Sequence, residues 1–170
     1  MVFLDRDGTV IEDVGFLSDP QGVAILPTVV DALRLFAQHG YATVVVSNQS
    51  GIARGYFDDA AVERVNAEVV RKLGDDGVAI DAWYWCSHYD AGCACRKPEP
   101  GLIERALREH PLVLQGGAVV GDRGSDVELG QRVGIPGVLV PGPYPYVGPE
   151  PDFRAQNLLE AATWIVNRGA

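Results

Sequence analysis

Short apolar runs alternate along the chain with segments of helical periodicity. The apolar runs predict five strands, at residues 2–4, 42–46, 82–85, 118–120 and 137–140. Apolar positions three or four residues apart, with start and stop residues such as Pro27 and Gly40, predict helices at residues 27–39, 58–74, 101–109, 125–133 and 157–167. Strands that are apolar on both faces and alternate with helices are typical of a central parallel sheet with helices on both faces.

Two segments carry further local signals. Ser125 and Glu128 have the spacing of a capping box, which predicts that the helix over 125–133 begins there. Residues 141–151 are rich in proline and glycine and follow the last predicted strand. They form either a mobile flap beside the site or ordinary surface turns.

Length and composition limit the classes of protein. The chain has 170 residues, and we expect one domain over residues 1–170. With 47% hydrophobic and 22% charged residues it can bury a core, which excludes wholesale disorder. A net charge of −9 disfavours a broad nucleic-acid surface. No apolar run approaches the roughly 20 residues that span a bilayer, and no signal-peptide pattern is present. We therefore expect a cytoplasmic monomer with no membrane or nucleic-acid partner.

Polar or metal-ligating side chains follow four of the predicted strands. They are Asp5 with Asp7, Ser47 with Asn48, Cys86 with His88, and Asp122. Ligands of open parallel sheets bind beyond the carboxyl ends of the strands, so this edge is the expected site. Asp5 and Asp7 repel each other at this spacing, and a divalent cation relieves that repulsion. Oxygen-only ligands favour Mg²⁺, and an acidic surface turn is the alternative.

All three cysteines lie within ten residues of one another, together with a histidine. The pattern Cys86-x-His88-x₄-Cys93-x-Cys95 supplies three thiolates and one imidazole, the complement of a closed structural Zn²⁺ site. Reduced cysteines without metal and a redox Cys-x-Cys pair are the alternatives. Residues 96 and 97, Arg and Lys, follow directly, so a zinc-bound loop at 86–95 would position two cations. Solvated surface cations are the alternative for that pair.

Four motifs together resemble a known superfamily. Asp5-Arg6-Asp7-Gly8-Thr9 resembles motif I of the haloacid-dehalogenase (HAD) phosphatases, Ser47 motif II, Lys97 motif III, and Gly121-Asp122 with Asp126 motif IV. The resemblance implies a Rossmannoid α/β fold. Only 39 residues separate Asp7 from Ser47, and 49 separate Ser47 from Lys97, so we expect no large cap domain.

The resemblance also implies hydrolysis of phosphate monoesters through an aspartyl-phosphate intermediate. Asp5 would be the nucleophile and Asp7 the general acid and base. Ser47 and Lys97 would hold the transferring phosphoryl group. A carboxylate that attacks a phosphate dianion needs cations to offset the repulsion, which agrees with this assignment.

For the metal, the resemblance implies Mg²⁺ held by Asp5, the backbone carbonyl of Asp7, and Asp122. Asp126 would either support this metal site or only cap its helix, because an acidic residue at a helix start is often a partner of the helix dipole.

Two longer segments narrow the resemblance. Residues 47–55 and residues 93–101 resemble the D-glycero-D-manno-heptose-1,7-bisphosphate 7-phosphatase branch. The positions that this resemblance implies for substrate contact are Asp13, Val14, Gly15, Phe16, Ser47, Asn48, Gln49, Ser50, Arg96, Lys97 and Arg123. Arg96 would recognise the substrate. Ser47 stands where the branch usually has threonine, Arg123 where it often has lysine, and the loop between His88 and Cys93 is shorter than in many members.

The charge distribution agrees with a bisphosphate substrate. Arg54, Arg96, Lys97 and Arg123 lie near the predicted strand ends of an otherwise acidic chain, and such a local cationic focus selects small anions. We therefore expect Arg54 to join the substrate-binding set. Two alternatives stay open: a histidinol-phosphate phosphatase, which shares the zinc loop and Arg-Lys-Pro, and a catalytically silent zinc-stabilised binding module. The intact Asp5 and Asp7 argue against the silent module.

Overall fold

The computed structural model describes residues 1–89, 92–111 and 113–169. Its strands are β1 (Val2–Leu4), β2 (Thr43–Asn48), β3 (Ala82–Cys86), β4 (Ala118–Gly121), β5 (Gly137–Leu139) and β6 (Phe153–Arg154). They form one parallel sheet in the order β3-β2-β1-β4-β5-β6. The strand order therefore runs outward from β1 in two directions, through β2 to β3 on one side and through β4 and β5 to β6 on the other. The carboxyl ends of β1, β2 and β4 meet at one edge of the sheet.

The described residues form five α-helices: α1 (Val29–Gln38), α2 (Asp59–Asp75), α3 (Gly101–Glu109), α4 (Gly124–Arg132) and α5 (Leu158–Gly169). The first four each lie between two strands, and α5 follows β6. Each begins and ends within two residues of its predicted bounds. Asp58 caps α2, since its carboxylate accepts a hydrogen bond from the backbone of Ala61 at 2.9 Å. None of the described helices is both long and apolar enough to cross a bilayer.

The alternation of side chains along the strands divides the core into two layers. On β1, Val2 and Leu4 pack in one apolar cluster with residues of α1, α2 and α5, while Phe3 packs on the opposite face with residues of α3 and α4. Both faces of the sheet are therefore buried, which confirms the predicted α/β architecture with helices on both sides. The layers hold the strand ends, and the polar residues that follow them, in fixed positions.

The predicted capping box of α4 was wrong. The helix begins at Gly124, and the carboxylate of Asp126 accepts the hydrogen bond of the Arg123 backbone at 3.0 Å. Glu128 instead pairs with Arg132 one turn later, at 2.7 Å. The helix starts one residue earlier than the spacing suggested, and the loop at 141–151 packs directly against that start. A side chain at Gly124 would collide with the backbone of Val147.

The sequence reasoning also missed two short elements. Strand β6 has two residues and pairs with β5, with Phe153 opposite Val138. A 3₁₀ turn covers Pro20–Gly22. Elements this short have no room for a hydrophobic period, so the pattern of residues along the chain carries no signal for them.

Candidate active site

A cavity of about 400 Å³ opens at the carboxyl ends of β1, β2 and β4. Thirteen of the predicted site residues line it: Asp5, Asp7, Asp13, Gly15, Phe16, Ser47, Asn48, Gln49, Ser50, Arg96, Lys97, Arg123 and Asp126. Ser125 and Tyr144 complete the described lining. The fold therefore brings together segments that are far apart in the chain, at the edge where ligands of such sheets bind.

Lys97 connects two buried carboxylates at this cavity. Its Nζ lies 2.7 Å from Asp5 Oδ1 and 2.7 Å from Asp126 Oδ1, and its side chain is only 2% exposed. Burial by itself lowers the pKa of Lys97, but the charges of Asp126 and Asp5 outweigh burial and raise it. Lys97 is therefore a permanent cation fixed beside Asp5. Asp126 both caps α4 and pairs with Lys97, so its role is more than capping alone.

Asp122 is a buried carboxylate that lacks a hydrogen-bond donor among the described residues. Neither of its side-chain oxygens accepts a hydrogen bond from the residues that the structure describes. Burial first, and then the charges of Asp5 and Asp126, raise the pKa of Asp122 to about 7. Carboxylate oxygens of these three residues lie within 4.8 Å of one another. A buried acidic group of this kind, with an orphaned carboxylate, fits a hard divalent cation such as Mg²⁺.

Gly8 makes the close approach around Asp122 possible. Its φ of +86° lies in the left-handed region, and a side chain there would collide with the Asp122 carboxylate. The glycine of motif I thus lets the chain leave β1 and turn next to the acidic group.

The Asp7 carboxylate is held by two neighbouring side chains. Its Oδ1 and Oδ2 accept hydrogen bonds from Nη2 and Nε of Arg6, both at 3.1 Å, and Gln49 Nε2 donates to Oδ2 at 2.8 Å. The same amide nitrogen lies 2.8 Å from Ser47 Oγ. Burial raises the pKa of Asp7 while Arg6 opposes that rise, and the net direction is upward. A raised pKa suits a carboxyl group that donates and then accepts a proton.

Asn48 fixes the backbone at Lys97. The Lys97 N–H donates to Asn48 Oδ1 at 2.9 Å, and Asn48 Nδ2 donates back to the Lys97 carbonyl at 3.1 Å. Because Asn48 is the last residue of β2, this pair of bonds attaches the motif III segment to the sheet. Asn48 therefore positions Lys97 in addition to lining the cavity.

The cysteine-histidine cluster lies at the end of β3. Ligand atoms of Cys86, His88, Cys93 and Cys95 all lie within 4.8 Å of one another, and the three thiols are free. The Sγ atoms of Cys86 and Cys95 lie 3.0 Å apart, and each lies within 3.4 Å of His88 Nδ1. Three thiols and one imidazole around one point fit a tetrahedral Zn²⁺ site. Residues 90 and 91 of the predicted zinc loop lie outside the described residues.

Arg96 joins this cluster to the cavity. Its Nη1 donates to the backbone carbonyl of His88 at 3.1 Å, and its side chain lines the cavity. The guanidinium therefore depends on the shape of the cysteine-histidine loop for its position.

Arg123 is held by an ion pair and by an aromatic ring. Its Nη2 lies 2.9 Å from Asp13 Oδ2, and its guanidinium carbon lies 4.1 Å from the centre of the Tyr144 ring. Sequence reasoning missed Tyr144, although aromatic residues within the proline- and glycine-rich loop at 141–151 were a visible signal. This loop contributes a wall of the cavity through Tyr144.

The described lining does not include Arg54 and Val14, which were predicted to contact substrate. The Arg54 guanidinium lies 3.7 Å from the ring centre of Tyr89 and 5.6 Å from that of Phe16. It thus connects the segment after β1 to the loop after β3, beside the cavity. Val14 is an exposed neighbour of Phe16.

Comparisons with known proteins agree with this geometry. A HAD-hydrolase-like family model matches residues 94–142. A Thermoplasma acidophilum protein named "Probable D-glycero-D-manno-heptose-1,7-bisphosphate 7-phosphatase" is 41% identical over 137 residues, which cover 79% of this chain and 86% of the relative. The chain belongs to the heptose-bisphosphate phosphatase family of the HAD superfamily.

Two further members of this family support the assignment. The D-glycero-beta-D-manno-heptose-1,7-bisphosphate 7-phosphatase of Mesorhizobium japonicum is 39% identical over 83% of this chain and 69% of its own. The crystal structure of D,D-heptose 1,7-bisphosphate phosphatase from B. bronchiseptica, complexed with magnesium and phosphate, superposes with a TM-score of 0.85. That pair is 31% identical and covers 98% of this chain and 97% of the other. The predicted Rossmannoid HAD fold is thereby confirmed.

Proposed function

We propose that the protein is a Mg²⁺-dependent phosphatase that removes the C7 phosphate of D-glycero-D-manno-heptose 1,7-bisphosphate. The observation that carries this proposal is the presence of two kinds of cation in one cavity. Lys97 is buried against Asp5, whereas Arg123 is 46% exposed and Arg96 is partly exposed. The buried cation suits the phosphoryl group that reacts, and the two arginines suit a second anionic group on the same substrate.

In the first half of the proposed reaction, an Asp5 carboxylate oxygen attacks the C7 phosphorus. The bond from phosphorus to the sugar oxygen breaks, and protonated Asp7 gives its proton to that oxygen. Lys97 and Ser47 donate hydrogen bonds to the oxygens of the transferring phosphoryl group. When bound by Asp5, Asp122 and the Asp7 carbonyl, Mg²⁺ supplies charge neutralisation for the attack of an anion on an anion.

In the second half, water attacks the phosphorus of the aspartyl-phosphate. Asp7, now ionised, accepts a proton from that water, and the Asp5 carboxylate leaves as inorganic phosphate forms. The hydrogen bond between Gln49 and Asp7 keeps the carboxylate beside Ser47 through both halves. Asp7 is reprotonated at the end of each cycle by this second step.

We further propose that Cys86, His88, Cys93 and Cys95 hold one structural Zn²⁺. All four ligands come from the protein, so this ion has no open position for substrate. Its effect on the reaction passes through Arg96, whose guanidinium is bonded to the His88 carbonyl. Because the loop closes around the ion when the protein folds, the entropy cost of placing the Arg96 guanidinium is not incurred again at each turnover.

The proposed preference for heptose bisphosphate over histidinol phosphate rests on charge. Arg96 and Arg123 favour a sugar that keeps a phosphate at C1, since each guanidinium can bond two oxygen acceptors at once. Histidinol phosphate would bring an ammonium group toward these arginines. Asp13 offers that ammonium little compensation, because it is already paired with Arg123 at 2.9 Å. We therefore propose a small anionic sugar bisphosphate as the ligand of the cavity, bound by a single chain.

Steady-state kinetics on both compounds test this proposal. We expect kcat/KM for heptose 1,7-bisphosphate to exceed that for histidinol phosphate by at least ~10-fold, equivalent to about 1.4 kcal/mol. In the same assays, Arg132→Ala is a control for loss of an arginine away from the cavity, because that arginine is exposed and pairs with Glu128 and Glu99. Faster hydrolysis of histidinol phosphate would overturn the substrate while leaving the phosphatase chemistry intact.

A further inference from the structure

Arg6, the residue between the two motif I aspartates, is one of the most buried large side chains of the protein. Its relative exposure is 1%, and in the described part of the chain its guanidinium donates hydrogen bonds to two other side chains. Nε and Nη2 donate to the Asp7 carboxylate, while Nη1 donates to Asn66 Oδ1 at 2.9 Å. Neither the proposed chemistry nor the substrate contacts above use Arg6. A buried guanidinium is costly unless it has fixed partners, so its presence calls for a function.

Asn66 gives that guanidinium its anchor. It lies on α2, is 8% exposed, and has a buried amide among the apolar residues that attach α2 to the sheet. Arg6 thus connects helix α2 to the Asp7 carboxylate through one rigid planar group. Because two of its nitrogens meet the carboxylate side by side, the fork fixes the rotation of the Asp7 side chain as well as its distance.

The two oxygens of Asp7 are treated differently. Oδ2 accepts from Arg6 and from Gln49, whereas the hydrogen bond to Oδ1 comes from Arg6. The arrangement therefore holds the carboxylate in one orientation, with Oδ2 turned toward Gln49 as well as Arg6.

We infer that Arg6, anchored by Asn66, is a positioning residue that orients Asp7 for protonation of the leaving-group oxygen. This inference rests on the proposed phosphatase function, since it assigns Asp7 as the general acid. Arg6 contacts Asp7 and Asn66 but is not among the described residues that line the cavity, so it acts through Asp7.

A series of substituted phenyl phosphates, with leaving groups of increasing pKa, tests the inference. For each compound, kcat/KM covers the steps up to departure of the phenol, so it excludes the later hydrolysis of the aspartyl-phosphate. Arg6→Met and Asn66→Ala should each lower kcat/KM for unsubstituted phenyl phosphate by at least ~10-fold more than for p-nitrophenyl phosphate, which needs little protonation. The dependence of kcat/KM on leaving-group pKa should therefore become steeper.

Val65→Ala is the matched control. Val65 precedes Asn66 on α2 and is fully buried, but its side chain packs in the apolar core. Its substitution lowers Tm and should change kcat/KM for all the phosphates by one common factor. If Arg6→Met does not fold, Asn66→Ala retains the guanidinium and still removes its anchor, so the comparison remains decisive.

A double-mutant cycle separates positioning from a general structural effect. In an Asp7→Asn background the dependence of kcat/KM on leaving-group pKa should already be steep. Adding Arg6→Met there should change the ratio of kcat/KM for p-nitrophenyl phosphate to that for phenyl phosphate by less than ~2-fold. Equal losses across the series in folded Asn66→Ala, or an undiminished effect of Arg6→Met without Asp7, would overturn the inference. Wild-type protein that hydrolysed none of these phosphates and no heptose bisphosphate would instead overturn the proposed function.

Discussion

Lys97 Nζ lies 2.7 Å from Asp5 Oδ1, although 92 positions separate the two residues in the chain. The contact joins the end of β1 to the segment that follows the cysteine-histidine cluster. Asn48, at the end of β2, fixes the Lys97 backbone from the other side. Three distant segments thus converge on the carboxylate that we propose as the nucleophile.

Replacing Lys97 should abolish most of the activity. Lys97→Met removes the cation that would hold the transferring phosphoryl group, and we expect kcat for heptose 1,7-bisphosphate to fall by ~100-fold or more. Tm should also fall, because Asp126 loses its buried partner. Lys72→Met, at the only other lysine of the chain, is the control and should keep wild-type kcat. Near-normal turnover by folded Lys97→Met would contradict this role.

Arg96→Ala should discriminate between substrates. Arg96 lines the cavity but lies outside the Lys97–Asp5 contact, so we expect it to serve the part of the substrate that does not react. We predict that kcat/KM falls by ~100-fold for the heptose bisphosphate and by less than ~3-fold for p-nitrophenyl phosphate. Parallel kinetics on the two compounds provide the measurement. Equal losses on both would place Arg96 at the reacting phosphoryl group.

The zinc proposal predicts how much zinc the purified protein contains and predicts that turnover falls when that zinc is lost. Elemental analysis of purified protein should give about one Zn²⁺ per chain, retained during dialysis that removes Mg²⁺. Cys93→Ser should lose that zinc, lower Tm and reduce the turnover of heptose bisphosphate through a misplaced Arg96. Ser87→Ala, in the same loop but outside the cluster, should keep the metal. Zinc-free native protein with full activity would rule out this role for the cluster.

Asp122 predicts a pH dependence of Mg²⁺ binding. In the metal-free protein its pKa is raised to about 7, far above the ordinary aspartate value of about 4. The folded state therefore binds this proton more tightly than the unfolded state. The contribution of Asp122 to the stability of the metal-free protein consequently falls as pH rises from about 4 to about 7. Mg²⁺ binds the ionised carboxylate, so a proton competes with it below pH 7.

Thermal unfolding with and without Mg²⁺ measures this competition. The increase in Tm that saturating Mg²⁺ produces at pH 8 should be clearly larger than the increase produced by the same concentration at pH 5.5. Asp122→Asn should remove most of the Mg²⁺ effect at both values and should make the metal-free protein more stable than wild type at pH 8. An increase in Tm that is independent of pH, or unchanged in Asp122→Asn, would contradict the assignment.

Much of the candidate site could be predicted because polar residues stand directly after apolar runs of the chain. Asp5, Ser47 and Asp122 each follow a run that has to be buried, and the parallel sheet then brings the three strand ends together. The same reasoning located the cysteine-histidine cluster from spacing alone, since its ligands lie close together in the chain.

The contacts that sequence could not supply depend on tertiary packing. Asn66 occupies an ordinary polar position in a helix, and only the packing of α2 shows that it is buried against Arg6. Arg54 stays a predicted substrate contact, and its stacking on Tyr89 depends on how the segment after β2 packs against the loop after β3. Tyr144 lines the cavity from a loop that also packs against the start of α4, and both contacts exist only in the folded chain.

Phosphorus NMR of heptose 1,7-bisphosphate during hydrolysis tests the central claim most directly, because it reports which phosphate leaves. With wild-type protein and Mg²⁺, the C7 phosphate signal should disappear as inorganic phosphate forms in equal amount, while the C1 phosphate signal persists. Asp5→Asn, with deamidation back to aspartate excluded by mass spectrometry, should leave both signals unchanged. Loss of the C1 phosphate first, or steady release of phosphate by Asp5→Asn, would contradict the account.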